Sequence, residues 1–92
     1  MDKIGRHYLI SGRVQGVFYR DSTRQKADEL GVTGWVKNTA DGRVESAAFG
    51  TSEQLEKFEH WLRQGPPHAN VTDLVSVTIA IENHKNFEIR YA

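Results

Sequence analysis

No cysteine occurs among the 92 residues. That excludes a disulfide framework, a thiolate nucleophile and a cysteine-held metal. Charge of one sign is also missing: twelve Lys and Arg balance twelve Asp and Glu. A neutral chain has no general attraction for nucleic acid or anionic membrane, so any anion site must rest on local potential. Long apolar runs are absent; none approaches the ~20 residues of a membrane span. The opening Met-Asp-Lys-Ile-Gly-Arg lacks the apolar core of a signal peptide. Linkers, low-complexity tracts and internal repeats are missing as well. The expectation from these absences is a soluble, cytoplasmic protein with no nucleic-acid or membrane partner.

An apolar share of 38% and a charged share of 26% fit a globular chain and are too apolar for a disordered one. The length suits a single domain over residues 1–92. Residues 1–6 read as a polar lead-in. From His7 to Val14 the chain alternates, with Tyr8, Ile10, Gly12 and Val14 on one face, as in a strand. Ser22 and Gln25 then have the spacing of a capping box, Ala27 and Leu30 give a narrow apolar stripe, and Gly31 is a C-terminal stop.

Alternation returns from Val32 to Thr39. Asp41-Gly42 is a turn signal, and Arg43 to Phe49 reads as the second arm of a hairpin. Thr51 and Gln54 form a second capping-box match before Leu55, Phe58, Trp61 and Leu62, which share one helical face. Gly65-Pro66-Pro67 ends that helix. Val71 to Ile81 alternates with apolar odd positions interrupted by Asp73, and Phe87, Ile89 and Tyr91 mark a short last strand.

The order is β-α-β-β-α-β plus a short C-terminal strand. The expected class is α+β, a ferredoxin-like two-layer sandwich with an antiparallel sheet and two helices on one face. That fold hosts enzymes, RNA binders and regulatory modules, so it does not decide function.

Between the first strand and the first helix lies Gly12-Arg13-Val14-Gln15-Gly16-Val17-Phe18-Tyr19-Arg20. A helix start presents unpaired amides and a partial positive charge. Gly16 permits close backbone approach, successive amides can turn inward as a nest, and Arg20 supplies a planar fork for two phosphate oxygens. Phe18 and Tyr19 are candidates for packing the loop rigid. On composition alone such a segment is an ordinary solvated connection. It lacks the Gly-Lys-Ser/Thr ending of a nucleotide-binding P-loop.

The segment resembles the acylphosphatase signature Gly-x-Val-Gln-Gly-Val-x-Phe/Tyr-Arg, with every fixed position present. A second motif of that family follows in Gly34-Trp35-Val36-Lys37-Asn38, Gly42-x-Val44 and Gly50. The resemblance covers nearly the whole chain. It implies hydrolysis of acyl phosphates to a carboxylate and inorganic phosphate, without metal or other cofactor, by a monomer. By motif position it implies that Arg20 binds phosphate and that Asn38 positions the attacking water. The amides of Gln15, Gly16, Val17, Phe18, Tyr19 and Arg20 would cradle the phosphate.

The chemistry agrees with the residue types. Phosphoryl transfer needs mainly positioning and charge stabilisation. An asparagine amide offers a donor and an acceptor, so it can hold a water without being a base. A carboxylate leaving group, with a conjugate-acid pKa of roughly 4, departs without a strong general acid. Thr39 and Arg13 are weaker candidates for assisting.

His7, His60, His68 and His84 have no paired ligand spacing. Asp41 belongs to the turn, and Trp35 and Trp61 are packing residues rather than stacking platforms. Two alternatives compete with this reading. An idle phosphate-binding module is disfavoured by intact Arg20 and Asn38 and by a chain that ends soon after its last strand. A ferredoxin-like RNA binder is disfavoured by neutral charge and the lack of a basic, aromatic strand.

Overall fold

The structure, a computed structural model, describes residues 2–91; Met1 and Ala92 lie outside the described residues, and with them the outermost positions of the expected domain and lead-in. The elements in chain order are β1 (Lys3–Arg13), α1 (Tyr19–Leu30), β2 (Thr33–Asn38), β3 (Val44–Thr51), α2 (Ser52–Gln64), β4 (Asn70–Ile79) and β5 (Phe87–Arg90). The sheet order is β4-β1-β3-β2-β5. β1 runs antiparallel to β3 and β4, and β2 runs antiparallel to β3. This is the expected ferredoxin-like arrangement. β5 adds to β2 in the parallel direction, which makes the sheet mixed.

The helices cover one face. α2 buries Leu55, Phe58 and Leu62 completely, each worth about 1.5–3 kcal/mol of transfer free energy. Phe58 meets Tyr8 of β1 and Phe87 of β5 edge to face. The expected capping box at Thr51 is present. The Thr51 hydroxyl accepts from the Gln54 amide at 3.2 Å, and the Thr51 amide donates to Gln54 Oε1 at 2.8 Å. Gln54 Nε2 also donates to the Leu30 carbonyl at 3.0 Å, which ties the start of α2 to the end of α1.

Three sequence expectations are corrected. The lead-in is not separate, because Lys3–Arg6 already pairs with β3 from Lys3↔Thr51 onward. α1 does not start at Ser22. Its N-cap is Phe18, in a left-handed conformation with no side-chain cap, and the Ser22 amide donates to the Phe18 carbonyl inside the first turn. Tertiary burial of Tyr19 and Val17 sets that start instead. The apolar side of β4 faces away from the helices: Leu74 is buried beside Ile10, whereas Val75 and Val77 are each 51% exposed.

Candidate active site

The site begins where β1 ends. Between Ser11 and Gly12 the β1–β4 register shifts, and Gly12 has φ 122°. A Cβ there would stand 2.1 Å from the Asn70 carbonyl oxygen, so only glycine lets the two strands approach so closely as the chain leaves the sheet. Val14 and Val17 then insert into the core, 1% and 6% exposed. Gly16, at φ 73°, turns the backbone between them.

Tyr19 anchors the far side of the loop. It is 1% exposed, its ring packs against Trp61, and its hydroxyl donates to the Leu62 carbonyl at 2.6 Å. That carbonyl is among the four at the end of α2 that have no partner within the helix. Burial pushes the phenol's pKa up, which keeps it a neutral donor. Of the two aromatic residues expected to hold the loop, Tyr19 does so and Phe18 does not: its ring is 76% exposed.

Among the loop and cap hydrogen bonds of the described residues, none uses the amides of Gly16, Val17, Phe18, Tyr19 or Arg20 as donors. These amides sit before and within the first turn of a 12-residue helix, where the macrodipole favours an anion. No ion pair between described residues involves Arg20; instead its guanidinium lies 5.0 Å from the centre of the Tyr91 ring. A stacked guanidinium keeps its edge donors available.

Asn38 reaches the site from the other side. It ends β2, opposite Val44 across the hairpin. Gln15 joins the two segments, because its Nε2 donates to the carbonyls of Thr39 and Arg43, both at 2.9 Å. The turn beyond Asn38 is bonded within itself. Thr39 Oγ1 donates to Asp41, accepts from the Arg43 amide at 3.0 Å and lies 3.2 Å from the Arg43 carbonyl. Arg43 grips Asp41 through Nε and Nη2 at 2.9 and 2.6 Å. The guanidinium first, and the Thr39 hydroxyl second, hold the Asp41 carboxyl well below the usual carboxylate range. Asp41 is thus a turn residue, and neither Thr39 nor Arg43 bonds the Asn38 side chain.

A cavity of about 280 Å³ lies between the segments. Gly16, Phe18, Tyr19, Arg20 and Asn38 all line it, together with Val14, Asp21, Ile89 and Tyr91. Of the expected site residues, Gln15 and Val17 do not: one bridges to the turn and the other packs into the core. Arg13 is exposed and does not line it. Ile89 and Tyr91 were not expected there. Ile89 belongs to β5 and Tyr91 follows it directly; the parallel pairing of β5 with β2 sets Arg90 beside Lys37, one residue from Asn38. Strand periodicity contains no signal for that neighbour.

The Asn38 Oδ1 atom is buried and has no hydrogen-bond partner. An unpaired buried acceptor costs about 1–3 kcal/mol, and Arg6 Nε and the Tyr8 hydroxyl are buried without partners as well. The four histidines do not gather. His7 pairs with Glu45 at 2.6 Å and His84 with Glu82 at 3.0 Å, while His60 meets Gln64. Among the described residues no three His, Asp or Glu side chains are grouped to hold a metal, and no helix is long and apolar enough to cross a membrane.

A mixed sheet under two helices, with an arginine, a loop at a helix start and an asparagine lining one cavity, defines a small α+β protein with a polar cleft at one end of its sheet. The acylphosphatase family profile matches residues 6–89. The chain is 50% identical over 82 residues to an acylphosphatase of Nitrosococcus oceani, covering 89% of this chain and 92% of that protein. The solved structure of a Coxiella burnetii acylphosphatase superposes with a TM-score of 0.94 at 42% identity, over 97% of this chain and 94% of the other. The crystal structure of the Bacillus subtilis acylphosphatase gives 0.93 at 37% identity, over 96% and 99%. The chain belongs to the acylphosphatase family and is a hydrolase of that kind.

Proposed function

We propose that the protein, acting as one domain and as a cytoplasmic monomer, hydrolyses acyl phosphates to a carboxylate and inorganic phosphate without a metal ion. The phosphoryl group sits against the amides of residues 15–20 and the Arg20 guanidinium. A water donates one hydrogen to Asn38 Oδ1, which leaves an oxygen lone pair for phosphorus. The new P–O bond forms as the bond to the acyl oxygen breaks. The electron pair leaves with the carboxylate, and the water's hydrogens leave with the phosphate. Arg20 and the amides stabilise the charge on the phosphoryl oxygens, which is the main demand of this reaction.

The observation that carries this reading is that Asn38, whose Oδ1 has no hydrogen-bond partner, and Arg20 line the same cavity. Supporting it is the absence of any carboxylate partner for Arg20 among the described residues, although Asp21 is its chain neighbour. The test is turnover of a simple acyl phosphate by the purified protein in the presence of a chelator. Turnover is expected. No turnover would overturn the function, and turnover only after added metal would overturn the mechanism.

A further inference from the structure

Gly65 is not an ordinary helix stop. Gly31, which caps the end of α1, has φ 78° and ψ 23°, the left-handed pair common at that place. Gly65, which caps the end of α2, has φ 68° and ψ −175°, a combination open essentially to glycine alone. A Cβ at Gly65 would stand 2.9 Å from Tyr19 Cε2 and 3.1 Å from the Ala69 Cβ. The same tyrosine ring packs against Trp61 at 5.8 Å between centres, and its hydroxyl donates to the Leu62 carbonyl at 2.6 Å. The last turn of α2 and its stop therefore close on one side chain. Ending a helix requires none of these contacts, and Trp61 is only partly buried.

Tyr19 opens α1 and directly precedes Arg20. Its carbonyl shares a peptide group with the Arg20 amide and accepts from Thr23 Oγ1 at 2.7 Å. The Arg20 side chain makes no ion pair with a described residue. Where Arg20 sits is thus inherited largely from the backbone at Tyr19. We propose that Trp61 and Gly65 are positioning residues for Arg20. They touch no substrate. They fix the Tyr19 ring and, through it, the first turn of α1 that presents Arg20 and the loop amides. The proposal rests on the function argued above. A misplacement of about 1 Å at a reacting group costs on the order of 10²-fold, so a fraction of that displacement is readable in kinetics.

The experiment measures kcat/KM for an acyl phosphate and, separately, the affinity for inorganic phosphate by titration calorimetry. Both are taken at a temperature where each variant is fully folded. Trp61→Leu removes the ring and keeps an apolar side chain, whereas Trp61→Phe keeps a ring. Gly65→Ala sets a methyl group against Tyr19. Leu55→Val trims the core about 9 Å along α2 from Trp61. Trp61→Leu is expected to lower kcat/KM about 5–20-fold and to weaken phosphate binding about three- to tenfold, Gly65→Ala by at least as much, while Trp61→Phe stays within about threefold of wild type. Leu55→Val should lower Tm and leave both readings within about twofold. A folded Trp61→Leu with both readings within about twofold of wild type overturns the proposal; if Gly65→Ala does not fold, that variant decides alone. Losses in Leu55→Val equal to those in Trp61→Leu also overturn it, because loosening of the fold would then explain both. Wild-type protein that binds phosphate but hydrolyses no acyl phosphate removes the hydrolase reading, and phosphate affinity in the variants still decides whether Arg20 is seated from α2. Wild-type protein that does neither removes both.

Discussion

Arg20 belongs to the loop and helix start that line the cavity, Arg43 to the turn just beyond Asn38, and they differ in what holds them. Arg43 is spent on the turn: it grips Asp41 through two nitrogens, while its amide and carbonyl meet Thr39. Arg20 rests face-on against Tyr91, with no ion pair to a described residue. The same contrast holds for the backbone. The turn's polar groups bond one another, and the loop's amides from Gly16 to Arg20 donate to no loop or cap carbonyl. A segment that satisfies its own polar groups keeps its shape but has little left for a ligand. The loop does the reverse, and its shape is supplied from outside by Val14, Val17, Tyr19 and the Gln15 bridge.

The comparison can be broken most directly at the arginines. Arg20→Ala is expected to lower kcat/KM for an acyl phosphate about 10²–10³-fold, the loss typical of removing a charge-stabilising donor. Arg43→Ala should keep activity within a few-fold while loosening the turn. Equal losses in steady-state kinetics would refute the division of labour. Asn38→Ala should lower kcat about 10²-fold, the loss expected from misplacing a reactant, while inhibition by inorganic phosphate changes by less than about threefold, since water and phosphate are held by different groups. Parallel losses of both would assign Asn38 to phosphate instead.

Smaller effects test how the loop is held. Gln15→Ala removes two side-chain hydrogen bonds from the loop to the β2–β3 turn and should destabilise by about 1–2 kcal/mol in urea unfolding. Tyr19→Phe leaves the Leu62 carbonyl without its donor. It should cost about 1 kcal/mol, a fall of roughly 4–8 °C in Tm for a domain this size.

The smallest effect concerns pH. The Asp41 carboxyl has a lower pKa in the folded chain, held there first by Arg43 and then by Thr39. Its contribution to stability is therefore fully present above the unfolded value of about 4 and is lost as pH falls through the lower folded value. Asp41→Asn should be less stable than wild type at pH 6, and the gap should close in strong acid. A gap that widens on acidification would reverse the assignment.

Much of this architecture was legible because its signals are local. The Thr51–Gln54 capping box, the stop at Gly31 and the face of Leu55, Phe58 and Leu62 depend on residues within a few positions of one another. The start of α1 was misread for the same reason. Ser22 and Gln25 have the local spacing of a cap, but burial of Tyr19 against Trp61 and Leu62, some 40 residues away, places the helix start earlier. The alternation in β4 was read correctly as a strand. Periodicity does not say which side meets the helices, and Leu74 rather than Val75 or Val77 does.

By itself the sequence determined the kinds of element, their order, the loop with its arginine and the family likeness. Only the tertiary structure decided that Asn38 and Arg20 line one cavity, that Asn38 Oδ1 is buried without a partner, and that Ile89 of the last strand and Tyr91 just after it join them. The reason is range. Caps and periodic faces act over a few residues, whereas the site is assembled by the order and register of strands, which are set by the whole core at once.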